Sequence, residues 1–238
     1  MFEITPLPSW EGSLLWLAGI ALAAFAVSFV LTDVLHIRRA AYIGALALLT
    51  GALTLGWMVW SGAGSEMWSN RWLWGLLGAV GAGAFLEVAL ARVIPQAAHG
   101  TVGPATALWE DGVYGLAEGL LLSVLPVLVT WQVFAAVGWN TGGRAVAAAV
   151  ASLLASVVVI VAHHLGYAEF RSRKMAMAVM GCGVLSTVYL LVGSPIAAMG
   201  GHVLLHAGLL RQGAVLPPNE LAGTPRMRAP ATPAAPSA

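Results

Sequence analysis

The chain is a succession of apolar runs of about twenty residues, separated by short stretches that hold nearly all of its charge. At ~1.5 Å per residue, a run of that length makes a helix about 30 Å long, the thickness of a bilayer's hydrocarbon core. Inside that core every backbone N–H and C=O must be satisfied by the chain itself, which leaves only helices and closed barrels. The ten-residue alternating strands of a barrel are absent from this sequence. The pattern therefore predicts an all-α, polytopic transmembrane helical bundle. Composition agrees, with 9% charged residues and 59% hydrophobic ones, against about 25% charged in a soluble domain.

Seven spans are predicted, at about 13–32, 41–61, 72–94, 112–138, 145–164, 175–193 and 195–211. Pro126 is expected to kink the long fourth span. Gly193-Ser194-Pro195 reads as a tight turn into a short seventh. Four segments follow: an outer N-terminal segment 1–12, three helices of unassigned role within 13–104, a four-helix core at 105–211, and a Pro/Ala-rich tail 212–238 expected to be disordered. The first span follows no positive n-region and reads as retained. With seven spans, Arg38, Arg39, Arg92, Arg171, Arg173, Lys174, Arg211, Arg226 and Arg228 fall on one side, and only Arg71 and Arg144 on the other. The positive-inside rule then puts the N-terminus outside and the C-terminus in the cytoplasm. Trp10, Trp16, Trp57, Trp60, Trp68, Trp72, Trp74 and Trp139 are expected near the outer interface. Frequent Ala, Gly and Trp with little Lys point to a bacterial cytoplasmic membrane. The expected partners are the lipid bilayer and a membrane-protein or peptide substrate. No basic cluster is dense enough for nucleic acid, and the oligomeric state is not legible. The lone Cys182 excludes an intrachain disulfide and reads as a small buried apolar residue.

Topology gives each ionisable residue a depth. Glu87, Glu110, Asp111, Glu118, His163, His164, His202 and His206 all fall in the cytoplasmic half. Ionisable groups inside a span are functional candidates by default, and a shared depth points to one cavity. His202 and His206, four apart, lie on one helix face. Two chemistries fit. In one, a carboxylate activates water and histidines stabilise the oxyanion, without metal. In the other, histidines with a carboxylate bind zinc and leave a position for water, His202, His206 and His164 being the ligands. Interhelical hydrogen bonding in a catalytically inactive membrane scaffold is the non-enzymatic alternative.

Glu110-Asp111-Gly-Val-Tyr-Gly115, Val159-Ile160 leading to His163 and His164, and His202-Val-Leu-Leu-His206 resemble, in order, the motifs of the CPBP family. That family comprises intramembrane proteases of the CAAX-prenyl-protease and bacteriocin-processing type. The resemblance covers about residues 105–212. It implies a peptide hydrolase acting near the cytoplasmic face without a cofactor, with catalytic residues Glu110, Asp111, His163, His164, His202 and His206. Glu110 would activate the water, while His163 or His164 and His202 hold the water and the oxyanion. Asp111 stands in place of the family's second glutamate, Gly115 in place of its arginine, and Val159 or Ile160 in place of its phenylalanine. The last span also resembles that of the alkaline ceramidases and adiponectin-type receptors, seven-span hydrolases that bind zinc, which would make lipid amides the substrates.

Overall fold

The computed structural model describes residues 10–62, 68, 71–93 and 103–211. Among these, seven long helices account for almost all of the regular structure: α1 Trp10–Val34, α2 Arg39–Ser61, α3 Trp72–Ala91, α4 Pro104–Ala136, α5 Gly142–Leu165, α6 Lys174–Val192 and α7 Pro195–Arg211. The first six are long and apolar enough to cross a membrane, so the chain has the build of a multi-pass membrane protein. α7, at 17 residues, is slightly shorter. The tail from Gln212, His99 and the first nine residues lie outside the described residues.

α4 is the axis of the bundle. Two-thirds of its most apolar window is buried, against a third or less for every other span. The remaining helices bury narrow stripes and turn large apolar side chains outward, among them Leu22, Leu48, Leu55 and Val80. In lipid such exposure carries no hydrophobic penalty. Two pairs of helices run parallel. Ser28 of α1 lies level with His163 of α5. Along α3 and α7, Gly75 faces Ser194, Gly83 faces Leu204, and Glu87 meets Gly208 and Arg211. Small residues allow that second pair to approach closely, as expected where van der Waals packing rather than hydrophobicity drives association.

α4 is not uniform. Leu108–Val113 and Gly119–Val124 are wide, π-helical segments, and they bracket the short α-helical stretch Tyr114–Glu118. α1 likewise ends in a π-helical segment, Phe29–Val34. Such turns concentrate at functional sites. The second α4 segment ends just before Pro126, which has no N–H to give the carbonyl of Leu122, four residues back. Ser156 of α5 supplies the missing donor, its Oγ lying 2.7 Å from the Leu122 carbonyl oxygen.

The tryptophans divide. Trp72 and Trp74 are exposed, whereas Trp57 is buried in the core. At the α6–α7 junction Gly193 takes φ +72°, which lets the chain turn back into α7 within two residues.

Candidate functional site

One carboxylate in the middle of α4 collects histidines from two other helices. Glu118 Oε1 lies 3.1 Å from His163 Nε2, and Glu118 Oε2 lies 2.8 Å from His206 Nε2. All three side chains are buried. Three further buried groups surround His163. Its Nε2 is 3.2 Å from the Tyr167 hydroxyl, which meets the Tyr42 hydroxyl in a short contact and lies 3.3 Å from that of Tyr114. Its Nδ1 is 2.8 Å from Ser28 Oγ and 3.3 Å from the Ala24 carbonyl.

Proton positions follow from which atoms can only accept. Ser28 Oγ donates to the Ala24 carbonyl at 3.0 Å, so it receives the Nδ1–H of His163. The opposite nitrogen of His163 then faces Glu118 Oε1, and two bare lone pairs 3.1 Å apart would repel. A proton therefore sits between them, on His163 or on Glu118. A second sits between Glu118 and His206. Moving the first proton interconverts a carboxylate–imidazolium pair and a neutral acid–imidazole pair, and with neutral His206 the net charge stays zero in either form. A low-dielectric interior tolerates that arrangement and would strongly disfavour an unpaired carboxylate.

His202 and His164 stand beside this cluster in a different state. His202 Nδ1 donates to the Ala198 carbonyl at 3.1 Å, and His164 Nδ1 donates to the Ile160 carbonyl at 2.8 Å. Each therefore presents a bare Nε2 lone pair, and that of His202 is buried without a partner. The Nδ1 of His206 and Oδ1 of buried Asp111 are also without hydrogen-bond partners. The His206 ring packs edge-on against Tyr114, with centroids 4.7 Å apart.

Of the residues expected from sequence, His163 and His206 meet directly at Glu118, with His164 and His202 alongside. Asp111 is buried on α4, about two turns toward the N-terminal end from Glu118. Glu110 lies apart, in an ion pair with Arg39 at 2.9 Å, partly exposed. Glu87 pairs with Arg211 at 3.3 Å. Gly115, the position of the family's arginine, is a crossing point: a Cβ there would lie 2.7 Å from Val203 Cα. Tyr42, Tyr167 and Ser28 carried no signal in the motifs, whereas Tyr114 lies within the first of them. The chain has only four tyrosines, and three of them meet here.

The imidazoles fit a zinc ion in one respect and not in another. Anchoring one ring N–H on a carbonyl or carboxylate is how metal-binding histidines are held. Among the described residues, however, no three His, Cys, Asp or Glu side chains are grouped to hold a metal ion. An open groove of about 340 Å³ lined by Gly12, Leu15, Trp16, Gly19, Leu53 and Trp60 lies at the far ends of α1 and α2, away from this cluster. No protein family, curated protein or solved structure matches the chain.

Proposed function

We propose that this protein is an intramembrane hydrolase that cleaves peptide bonds of membrane-embedded substrates, with Glu118 rather than Glu110 as general base. The observation that carries the reading is the clamp on Glu118, a buried carboxylate held by Nε2 atoms from two other helices. Each carboxylate oxygen keeps a second lone pair for a water proton. The His202 Nε2 lone pair can accept the other O–H, which orients the attacking oxygen. As that oxygen bonds to the carbonyl carbon, Glu118 takes its proton. The C–N bond then breaks as the proton passes to the leaving amine, His163 or His206 serving as the carrier. The π-helical segments flanking Glu118 are in keeping with a site.

The reading includes a seventh crossing by α7, whose 17 residues reach the lower limit of ~17 for a span. The parallel pairing of α1 with α5 and of α3 with α7 supports seven alternating crossings, since odd-numbered spans must then run the same way. Together with the basic bias, this supports an outside N-terminus, a cytoplasmic C-terminus and a Glu118 in the cytoplasmic half of, we infer, a bacterial cytoplasmic membrane.

The test is a comparison of membrane peptide N-termini from cells carrying wild type, Glu118→Gln or Glu110→Gln. New N-termini should appear with wild type and with Glu110→Gln, and vanish with Glu118→Gln. Products that persist in Glu118→Gln reject the assignment. The anchored histidine N–H groups favour a second reading, a zinc-dependent hydrolase with His164, His202 and His206 as ligands. About one zinc per purified chain, lost on His202→Ala, would move the account there.

A further inference from the structure

Polar groups buried in this bundle are not spread evenly. The contact between α3 and α7 is lined mostly by small and apolar side chains. Around α4 lies instead a run of buried polar groups extending outward from Glu118. One turn of α6 carries the buried Cys182. The next carries Ser186, whose Oγ donates to the Cys182 carbonyl at 3.0 Å. Ser186 also lies 2.7 Å from Ser156 Oγ of α5 and 2.9 Å from Ser123 Oγ of α4. All three serines are fully buried. Further out, Ser152 of α5, Gln132 of α4 and Ser13 of α1 each bury a side-chain oxygen with no hydrogen-bond partner. α1, α4 and α5 pack against one another in all three combinations.

Two features distinguish this run from hydrogen bonds that merely glue helices. First, Ser152, Ser156 and His163 repeat at helical spacing on one buried face of α5 and cover about 16 Å at ~1.5 Å per residue. The run thus lies along the α5 axis, whereas isolated glue contacts need no alignment. Second, orphaned buried oxygens at its outer end call for water, because a polar atom left unpaired in such surroundings costs about 1–3 kcal/mol. Ser156 and Ser186 give their protons to the Leu122 and Cys182 carbonyls in this arrangement, so proton hopping along the triad requires both hydroxyls to rotate toward a neighbouring serine. At the inner end, Glu118 faces His163, His206, His202, His164 and the hydroxyls of Tyr42, Tyr114 and Tyr167. Asp111 and the Glu110–Arg39 pair lie beyond them toward the cytoplasmic end of α4.

We propose that this column carries protons between the outer face and the Glu118 cluster, giving the protein a proton-conducting activity. The chain Ser13/Gln132/Ser152, the Ser123–Ser156–Ser186 triad, Cys182 and Glu118 is its route. The interval of about 10 Å between Ser156 and His163, seven residues apart on α5, is completed by Cys182 and bridging water. The activity shares Glu118 with the proposed hydrolysis but does not depend on it.

The test uses purified full-length protein in liposomes of neutral and anionic phospholipid, with a pH-sensitive dye inside. High internal potassium and valinomycin make the lumen negative, and potassium efflux balances proton entry. Wild type should acidify the lumen at least tenfold faster than protein-free vesicles. Ser123→Ala/Ser156→Ala/Ser186→Ala should lose at least tenfold of that rate while eluting as wild type does on size exclusion. Ser186→Thr, which keeps the hydroxyl, should retain it. Wild-type flux no greater than that of empty vesicles overturns the proposal, as does undiminished flux in the triple variant. Peptide cleavage by the triple variant without flux would support the column while leaving the hydrolase reading intact. Flux without cleavage by any form would support the column and remove that reading.

Discussion

Gly115→Ala adds one methyl group where α7 crosses α4, and the structure sets its consequence. The new Cβ would lie 2.7 Å from Val203 Cα, 2.8 Å from Val203 N and 3.1 Å from the His202 carbonyl carbon. All three are backbone atoms, so no side chain can swing aside. Ordinary contact begins near 3.4 Å, and α7 must therefore retreat by about 0.7 Å. A shift of that size along the 2.8 Å bond between His206 and Glu118 stretches it to about 3.5 Å, past the usual hydrogen-bond range. Overpacking of this kind costs about 1–3 kcal/mol, and a weakened bond to a charged group adds roughly 1–2 kcal/mol. Together they should lower the unfolding temperature in detergent by several degrees and reduce activity, since His202 moves with the same helix. The control is Gly81→Ala on α3, where a Cβ meets nothing within 4 Å. That change should be neutral or stabilise by up to ~1 kcal/mol through helix propensity. Thermal unfolding of both variants beside wild type decides the matter. A Gly115→Ala protein as stable and active as Gly81→Ala would refute the close crossing and the coupling of α7 to Glu118.

Other substitutions probe separate parts of the account. Gly115→Arg restores the arginine of the CPBP motif on paper, yet it should prevent folding, visible as aggregation on size exclusion, because backbone occupies the space. Glu118→Ala leaves two buried imidazole nitrogens facing a void and should destabilise by about 2–4 kcal/mol, well beyond Glu118→Gln. Tyr42→Phe removes one hydroxyl from the tyrosine cluster and should lower stability by about 0.5–1.5 kcal/mol in the same thermal assay. Glu110→Gln breaks a partly exposed pair with Arg39 and should change stability by less than about 1 kcal/mol.

How much of this was legible beforehand varied with the physics involved. Helices were readable because hydrocarbon admits so few backbone solutions, and the boundaries at Ser61 and Val192 fall where glycine follows. The grouping was readable too: the acids and histidines expected in one half of the membrane include Glu118, His163 and His206, which meet in the bundle. What could not be read was which carboxylate stands at the centre. The CPBP resemblance implied Glu110, whereas the two π-helical segments of α4 alter its helical phase on either side of Glu118. Ridge-by-ridge prediction from a 3.6-residue period fails across such turns. Gly115 looked like a missing arginine because sequence records the residue and not the helix lying against it. The link between Pro126 and Ser156 was hidden for a related reason, since the freed Leu122 carbonyl becomes visible only once its new donor is in place.

The most direct measurement of the central claim is cleavage in reconstituted vesicles. Wild type, Glu118→Gln and Glu110→Gln would each be incubated with a library of membrane-spanning peptides, with products read by mass spectrometry. The account predicts product from wild type and from Glu110→Gln, and at least a hundredfold less from a folded Glu118→Gln. Equal cleavage by Glu118→Gln and wild type, or loss of cleavage in Glu110→Gln alone, would contradict it.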